Sequence, residues 1–105
     1  MKIKDNCLDK MTLRDFLEKY DLVLEIHERT DWYNSNYSKY YCNIEKGELK
    51  EGNVLYAMIG NGATKQEAVD NYTKIISGKY LVVNAFYKNR KEVQVPHLTG
   101  SGINI

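Results

Sequence analysis

At 105 residues, with 15 Lys and Arg against 14 Asp and Glu and a net charge of +1, the chain has the length of one domain. It has no global excess of charge to draw it to nucleic acid or a membrane surface. It holds no apolar run of the roughly 18 residues that a membrane helix needs. Its opening stretch, Met1-Lys2-Ile3-Lys4-Asp5-Asn6, lacks the apolar core of a secretory leader.

A single cytoplasmic domain spanning residues 1–105 is expected, with no membrane contact. The charge is uneven along it, with 9 cations and 11 anions in residues 1–53 against 6 and 3 in residues 54–105. A solvated surface and a binding face explain that asymmetry equally well. Cys7 and Cys42 form no CxxC pair and read as free thiols in a reducing compartment.

Residues 1–10 are polar and mixed in charge, a loose N-terminal arm. Residues 11–20 suit a short helix, because Leu13, Phe16, Leu17 and Tyr20 recur at i, i+3, i+4 and i+7 and Thr12 with Asp15 forms a capping box. Residues 22–28 switch to a two-residue period. Leu22, Leu24 and Ile26 face one way and Val23, Glu25 and His27 the other, as in a half-buried strand. Residues 30–39 are rich in turn formers with aromatics interleaved. Residues 40–44 read as a second strand and 46–53 as a turn. The apolar run of residues 54–59 suits a central strand.

The strongest local signal follows. Gly60-Asn61-Gly62-Ala63 leads into Thr64 and Glu67, which can cap a helix reciprocally, the Glu67 carboxylate reaching back to the Thr64 N–H. Gly78 supplies a left-handed stop. A helix over 65–77 is expected, with Ala68, Val69, Tyr72, Ile75 and Ile76 as its buried stripe. Residues 80–83 and 92–95 are β-prone, with a turn at 88–90, and Pro96 ends the second strand. Residues 97–105, with Gly100 and Gly102, read as a mobile tail.

The chemistry on offer is sparse. His27 and His97 are the only imidazoles. Cys42 would face His27 in a hairpin of the two strands, but no third group is visible to activate the couple. Two cysteines and two histidines scattered over ninety residues do not make a metal site. Gly60-x-Gly62 lacks both the third glycine of a dinucleotide loop and the Lys-Ser/Thr of a P-loop, and Glu67 already occupies the helix dipole. No enzyme, metal or cofactor is expected.

Two surface stretches carry binding potential instead. Trp32, Tyr33, Tyr37, Tyr40 and Tyr41 place five aromatics in ten residues, the residue types enriched at interface hot spots. Lys79, Lys88, Arg90 and Lys91 are interleaved with Tyr80, Phe86 and Tyr87. That pattern could stack bases and neutralise phosphates, or could be ordinary charge on exposed strands.

Residues 54–78 resemble the C-terminal part of a double-stranded-RNA-binding domain, a strand followed by Gly-x-Gly-x-Ser-Lys-Lys-x-Ala-Lys and a helix, through Gly60, Gly62, Thr64, Lys65, Gln66 and Ala68. The second lysine of that pattern is Gln66 here, the third falls on Val69, and Glu67 and Asp70 are acidic where phosphates would approach. The resemblance therefore speaks for topology and against duplex RNA. The same strand–helix order is similar to HicB-type antitoxins, through Tyr56-Ala57-Met58 and Thr64-Lys65-Gln66-Glu67-Ala68-Val69. That family's Asp-Leu-Pro-Gly turn and DNA-binding tail are absent.

The second half of the chain also looks like small proteins of unknown function from phages of low-GC Gram-positive hosts. The likeness runs through Glu67-Ala68, Ile76-Ser77-Gly78-Lys79, residues 81–86 and Val93-Gln94-Val95-Pro96.

These readings converge on an α+β domain: a short N-terminal helix, an antiparallel sheet of three to five strands beginning as a meander, and one capped helix on one sheet face. The expected function is that of a non-enzymatic phage or mobile-element accessory protein. It would bind a host protein as an inhibitor, in the manner of anti-defence or anti-CRISPR proteins, through the Trp32–Tyr41 cluster. The alternative is a nucleic-acid-binding regulator acting through Lys79, Lys88, Arg90 and Lys91. A free sheet edge would also permit a homodimer.

Overall fold

A computed structural model describes residues 1–2, 10–30 and 38–105. The architecture is α+β. In chain order come β1 (Lys10–Met11), α1 (Leu13–Tyr20), β2 (Leu24–Glu28), β3 (Tyr40–Ile44), β4 (Gly47–Glu51), β5 (Val54–Tyr56) and β6 (Gly60–Gly62). α2 (Lys65–Ile76), β7 (Tyr80–Val83), β8 (Lys91–Gln94) and β9 (His97–Leu98) complete the described chain.

Both helices start as their capping residues dictate. The Asp15 N–H donates to Thr12 Oγ1 while Asp15 Oδ2 accepts from the Thr12 N–H, closing the capping box of α1. At α2 the Glu67 N–H donates to Thr64 Oγ1. The Glu67 carboxylate, however, accepts from the N–H of Ala63 at 2.7 Å, one residue before the expected Thr64. Past the C-terminus of α2, Gly78 takes a left-handed φ of 76°, where a Cβ would be strained.

The strands form two antiparallel sheets rather than one. A three-stranded sheet runs β2-β3-β6 and a four-stranded sheet runs β5-β4-β7-β8, with β1 and β9 as a short parallel pair. The first two strands pair as expected, but the third strand of their sheet is Gly-Asn-Gly, reached only after β4 and β5, and not the apolar run 54–59, so the sheet is not the expected meander. That run stops as a strand at Tyr56 and pairs with β4. Residues 46–53, expected as a turn, contain β4, a central strand whose Leu49 is buried between Tyr56 and Leu81.

α2 lies against the inner face of the three-stranded sheet, closest to β6. Gly60 and Gly62 allow this. A Cβ on Gly60 would sit 2.4 Å from the Ala68 carbonyl oxygen and the Tyr72 nitrogen, and one on Gly62 would sit 2.3 Å from the Ala68 nitrogen. The two glycines are therefore a helix-docking surface, which is why a loop-like sequence is a strand.

The core joins α1 (Leu13, Phe16), β3 (Cys42, Ile44), α2 (Ala68, Val69, Tyr72, Ile76) and the second sheet (Leu49, Leu81, Val83), with Val95 and Leu98. Each large side chain fully buried there contributes about 1.5–3 kcal/mol. The Tyr72 hydroxyl enters this core and accepts the Ile44 N–H at 3.0 Å.

The expected mobile tail is docked. Its Gly100 and Ser101 carbonyls accept the N–H groups of Leu13 and Arg14, satisfying first-turn donors of α1 that no helical carbonyl reaches. Gln66 anchors the far end, donating to the Ile103 carbonyl at 2.8 Å and accepting from the Ile105 N–H at 2.9 Å. Most of the groups this segment itself offers to these bonds are backbone N–H and C=O, so composition gives little sign of its docking.

Candidate partner-binding surfaces

Strand register sorts the β2–β3–β6 residues onto two faces. Ile26, Cys42 and Gly60 form one inward row, beneath α2, and His27, Tyr41 and Asn61 form the adjacent outward row. The His27 ring stacks on Tyr41 with centroids 4.7 Å apart and planes at 19°. The Arg29 guanidinium lies 4.6 Å from the centre of the same Tyr41 ring. Arg29 is fixed there by donating from Nη1 to the Ser38 carbonyl at 2.6 Å and from Nη2 to Asn61 Oδ1 at 2.7 Å.

Asn61 is held in turn, its carbonyl accepting from Asn71 Nδ2 at 2.6 Å. Beside the row, Glu25 Oε1 lies 3.9 Å from His27 Nε2 and accepts from Asn43 Nδ2. Tyr41 is half-buried in this arrangement, while the His27 and Glu25 side chains keep 37% and 38% of their exposure.

Of the five aromatics expected to bind a partner, Trp32, Tyr33 and Tyr37 lie outside the described residues. The structure separates the remaining two. Tyr41 faces outward, as above. Tyr40 belongs to the inner face, packing against the core, with the Lys39 and Lys65 ammonium groups 5.4 and 5.9 Å from its ring centre. Tyr40, and then the Glu28 carboxylate 3.4 Å away, hold the Lys39 ammonium above its ordinary value.

Cys42 and His27 are neighbours in register but lie on opposite faces, so they make no couple. The Cys42 thiol is fully buried and donates to the Ala68 carbonyl at 3.2 Å. Burial pushes it up to about 12, with a Gly60 backbone hydrogen bond opposing. A thiol held there is a weak nucleophile. Among the described residues no three His, Cys, Asp or Glu side chains converge as metal ligands, and no helix is long and apolar enough to cross a membrane.

The four expected nucleic-acid contacts do not form one patch. Lys79 sits at the Val95 end of the β7–β8 hairpin, whereas Lys88, Arg90 and Lys91 sit at the turn. The four residues of β7 separate them by about 13 Å. Arg90 is 3.7 Å from Glu92, which also binds Lys50 at 2.7 Å. Lys50 first and Arg90 second hold the Glu92 carboxyl below its ordinary range.

The turn itself is well built. Asn84 adopts a left-handed φ of 58°, and its N–H donates to the Lys46 carbonyl. The Tyr87 N–H donates to the Asn84 carbonyl and the Arg90 N–H to the Tyr87 carbonyl. Lys46 Nζ lies 4.5 Å from the Tyr87 ring centre. Phe86 is left 87% exposed and Tyr87 57%. Beside the turn opens a half-open cavity of about 310 Å³, between the chain entering β2, the β3–β4 connection and the turn end of the β7–β8 hairpin.

Compared with known protein families, curated proteins and solved structures, the chain has no match.

Proposed function

We propose that this chain is a non-enzymatic accessory protein of a phage or mobile element that acts by binding, and thereby inhibiting, a host protein. The observation that carries the binding part is the outward face of the three-stranded sheet, where Arg29, Tyr41 and His27 form one ordered stack while α2 covers the other face. Aromatic and arginine side chains whose conformations are already fixed lose little entropy on association, so they suit an interface. The phage accessory role comes from the resemblance of residues 67–96 to small phage proteins of unknown function, and the inhibitor reading rests on the small size of the chain and the aromatic stretch of residues 32–41.

The test compares the tagged chain with a Tyr41→Ala/His27→Ala double variant and a Trp32→Ala/Tyr33→Ala/Tyr37→Ala triple variant in pull-downs from bacterial host lysate, read by mass spectrometry. Circular dichroism of each variant checks folding. The wild-type chain should enrich one host protein that both variants lose while keeping the native spectrum. Equal enrichment by wild type and variants removes this surface from the mechanism.

A further inference from the structure

We propose that the β7–β8 turn is a second, separate docking element, a rigid aromatic knob that inserts Phe86 into an apolar pocket of a protein partner bearing acidic residues around that pocket. The inference shares the binding-protein reading but not its surface. Phe86 at 87% exposure is a large apolar side chain displayed to solvent, and it sits on a loop held by a rigid scaffold, where binding residues are disproportionately found. The loop is preorganised by the Tyr87–Asn84 and Arg90–Tyr87 hydrogen bonds and by the tie from Asn84 to Lys46. Holding the loop backbone in place before binding reduces the entropy lost on docking.

Charge complementarity decides the occupant. Residues 84–91, Asn-Ala-Phe-Tyr-Lys-Asn-Arg-Lys, contain three cations and no anion, and Lys46 joins them over Tyr87. Glu92, the nearest acid in sequence, is already shared between Lys50 and Arg90. Lys46, Lys91, Asn84 and Asn89 supply donors along the adjacent cavity, where Asp21 and Glu45 form the acidic part of the lining. A carboxylate-bearing partner segment is drawn to the cationic side.

A single-stranded nucleic acid fits less well. Such ligands stack successive bases on several rings along a basic groove. Here one face of Tyr87 is taken by Lys46, and Phe86 stands alone on a projecting turn.

The test selects a random-peptide display library on the folded wild-type chain, with Phe86→Ala as the counter-selection. The best peptide is then synthesised and titrated against wild type, Phe86→Ala, Lys88→Glu/Lys91→Glu and Tyr41→Ala/His27→Ala. An oligothymidylate is titrated in parallel. The selected peptides should carry Asp or Glu flanking an apolar residue. Affinity should fall about tenfold or more with Phe86→Ala and with the charge reversal, weaken as salt rises from about 0.05 to 0.5 M, and stay unchanged in the Tyr41/His27 variant.

Failure to enrich any peptide over Phe86→Ala, or enrichment without acidic residues, overturns the inference. So does oligothymidylate binding that Phe86→Ala abolishes. Loss of peptide binding in the Tyr41/His27 variant alone would defeat the knob while leaving the sheet-face reading intact.

Discussion

Tyr41 and Phe86 belong to the two aromatic-rich stretches of the chain, each with cations close by, and the fold treats them in opposite ways. Tyr41 is closed in by His27, by Arg29 and, through Arg29, by Asn61. Phe86 touches so little that 87% of it faces water. Aromatic density in a sequence does not reveal how much ring surface remains available. On a regular strand the cross-strand neighbours consume the ring, whereas a turn leaves its ring without neighbours. The Tyr41 side thus supplies a flat ordered face and the Phe86 side a projecting anchor.

The contrast depends on the Tyr41 sheet being clamped to α2, and alkali attacks that clamp most strongly. The Cys42 thiol is moved from its ordinary 9.0 to about 12, and the Tyr72 hydroxyl, chiefly by burial, from 10.0 to about 12. Both groups are raised in the folded state, so the unfolded chain releases these protons first. The stability they contribute is complete below about pH 9 and is lost as pH rises toward 12, several kcal/mol in total. Urea midpoints measured from pH 8 to 12 should fall steeply, and Cys42→Ala should flatten that slope while lowering the midpoint at pH 8. A midpoint that stays level across this range removes the buried-acid explanation.

Gly62→Ala tests the same clamp from the strand side. The new Cβ would meet α2 backbone at 2.3 Å, and neither chain can move aside cheaply, so the cost should be about 3 kcal/mol. Gly100→Ala, with nothing within 4 Å of its Cβ, is the matched control and should be near neutral. If the two glycine variants unfold at the same urea concentration, the helix-docking role of Gly62 is wrong.

These sites also show what could be read in advance. α2 was legible because Thr64, Glu67 and Gly78 announce both ends and Ala68, Val69, Tyr72 and Ile76 repeat at helical spacing. β4 was not, since Leu49 is the only apolar side chain in Gly-Glu-Leu-Lys-Glu and one residue carries no period. β6 has no side-chain pattern at all; its pairing to β3 and its nearness to α2 make it a strand. The docking of residues 99–105 uses mostly backbone groups, which every sequence possesses. For the surfaces, the residue types were visible, but the register that turns Tyr40 inward and Tyr41 outward was not.

Tyr41→Ala sharpens the contrast at intermediate magnitude. It removes the ring that His27 and Arg29 share, so a loss of about 1–2 kcal/mol is expected. Chemical-shift mapping should show the perturbation confined to β2, β3 and β6. A change spreading to residues 84–90 would mean that the two surfaces are coupled and cannot be treated as separate.

The smallest effect belongs to Phe86. Its side chain leaves little buried area to lose, so Phe86→Ala should shift stability by no more than about 0.5 kcal/mol. Tyr87→Ala should cost slightly more, since Lys46 lies over that ring and an exposed cation–π contact is worth about 0.5–1 kcal/mol. Urea unfolding of both variants beside Lys46→Met separates these terms, because Lys46→Met should match the Tyr87→Ala loss and add nothing to it. A Phe86→Ala loss above about 1.5 kcal/mol would show that the ring is structural, tucked against the body of the protein in solution. The two aromatic regions would then differ in degree of burial alone, and the turn would have no ring to offer a partner.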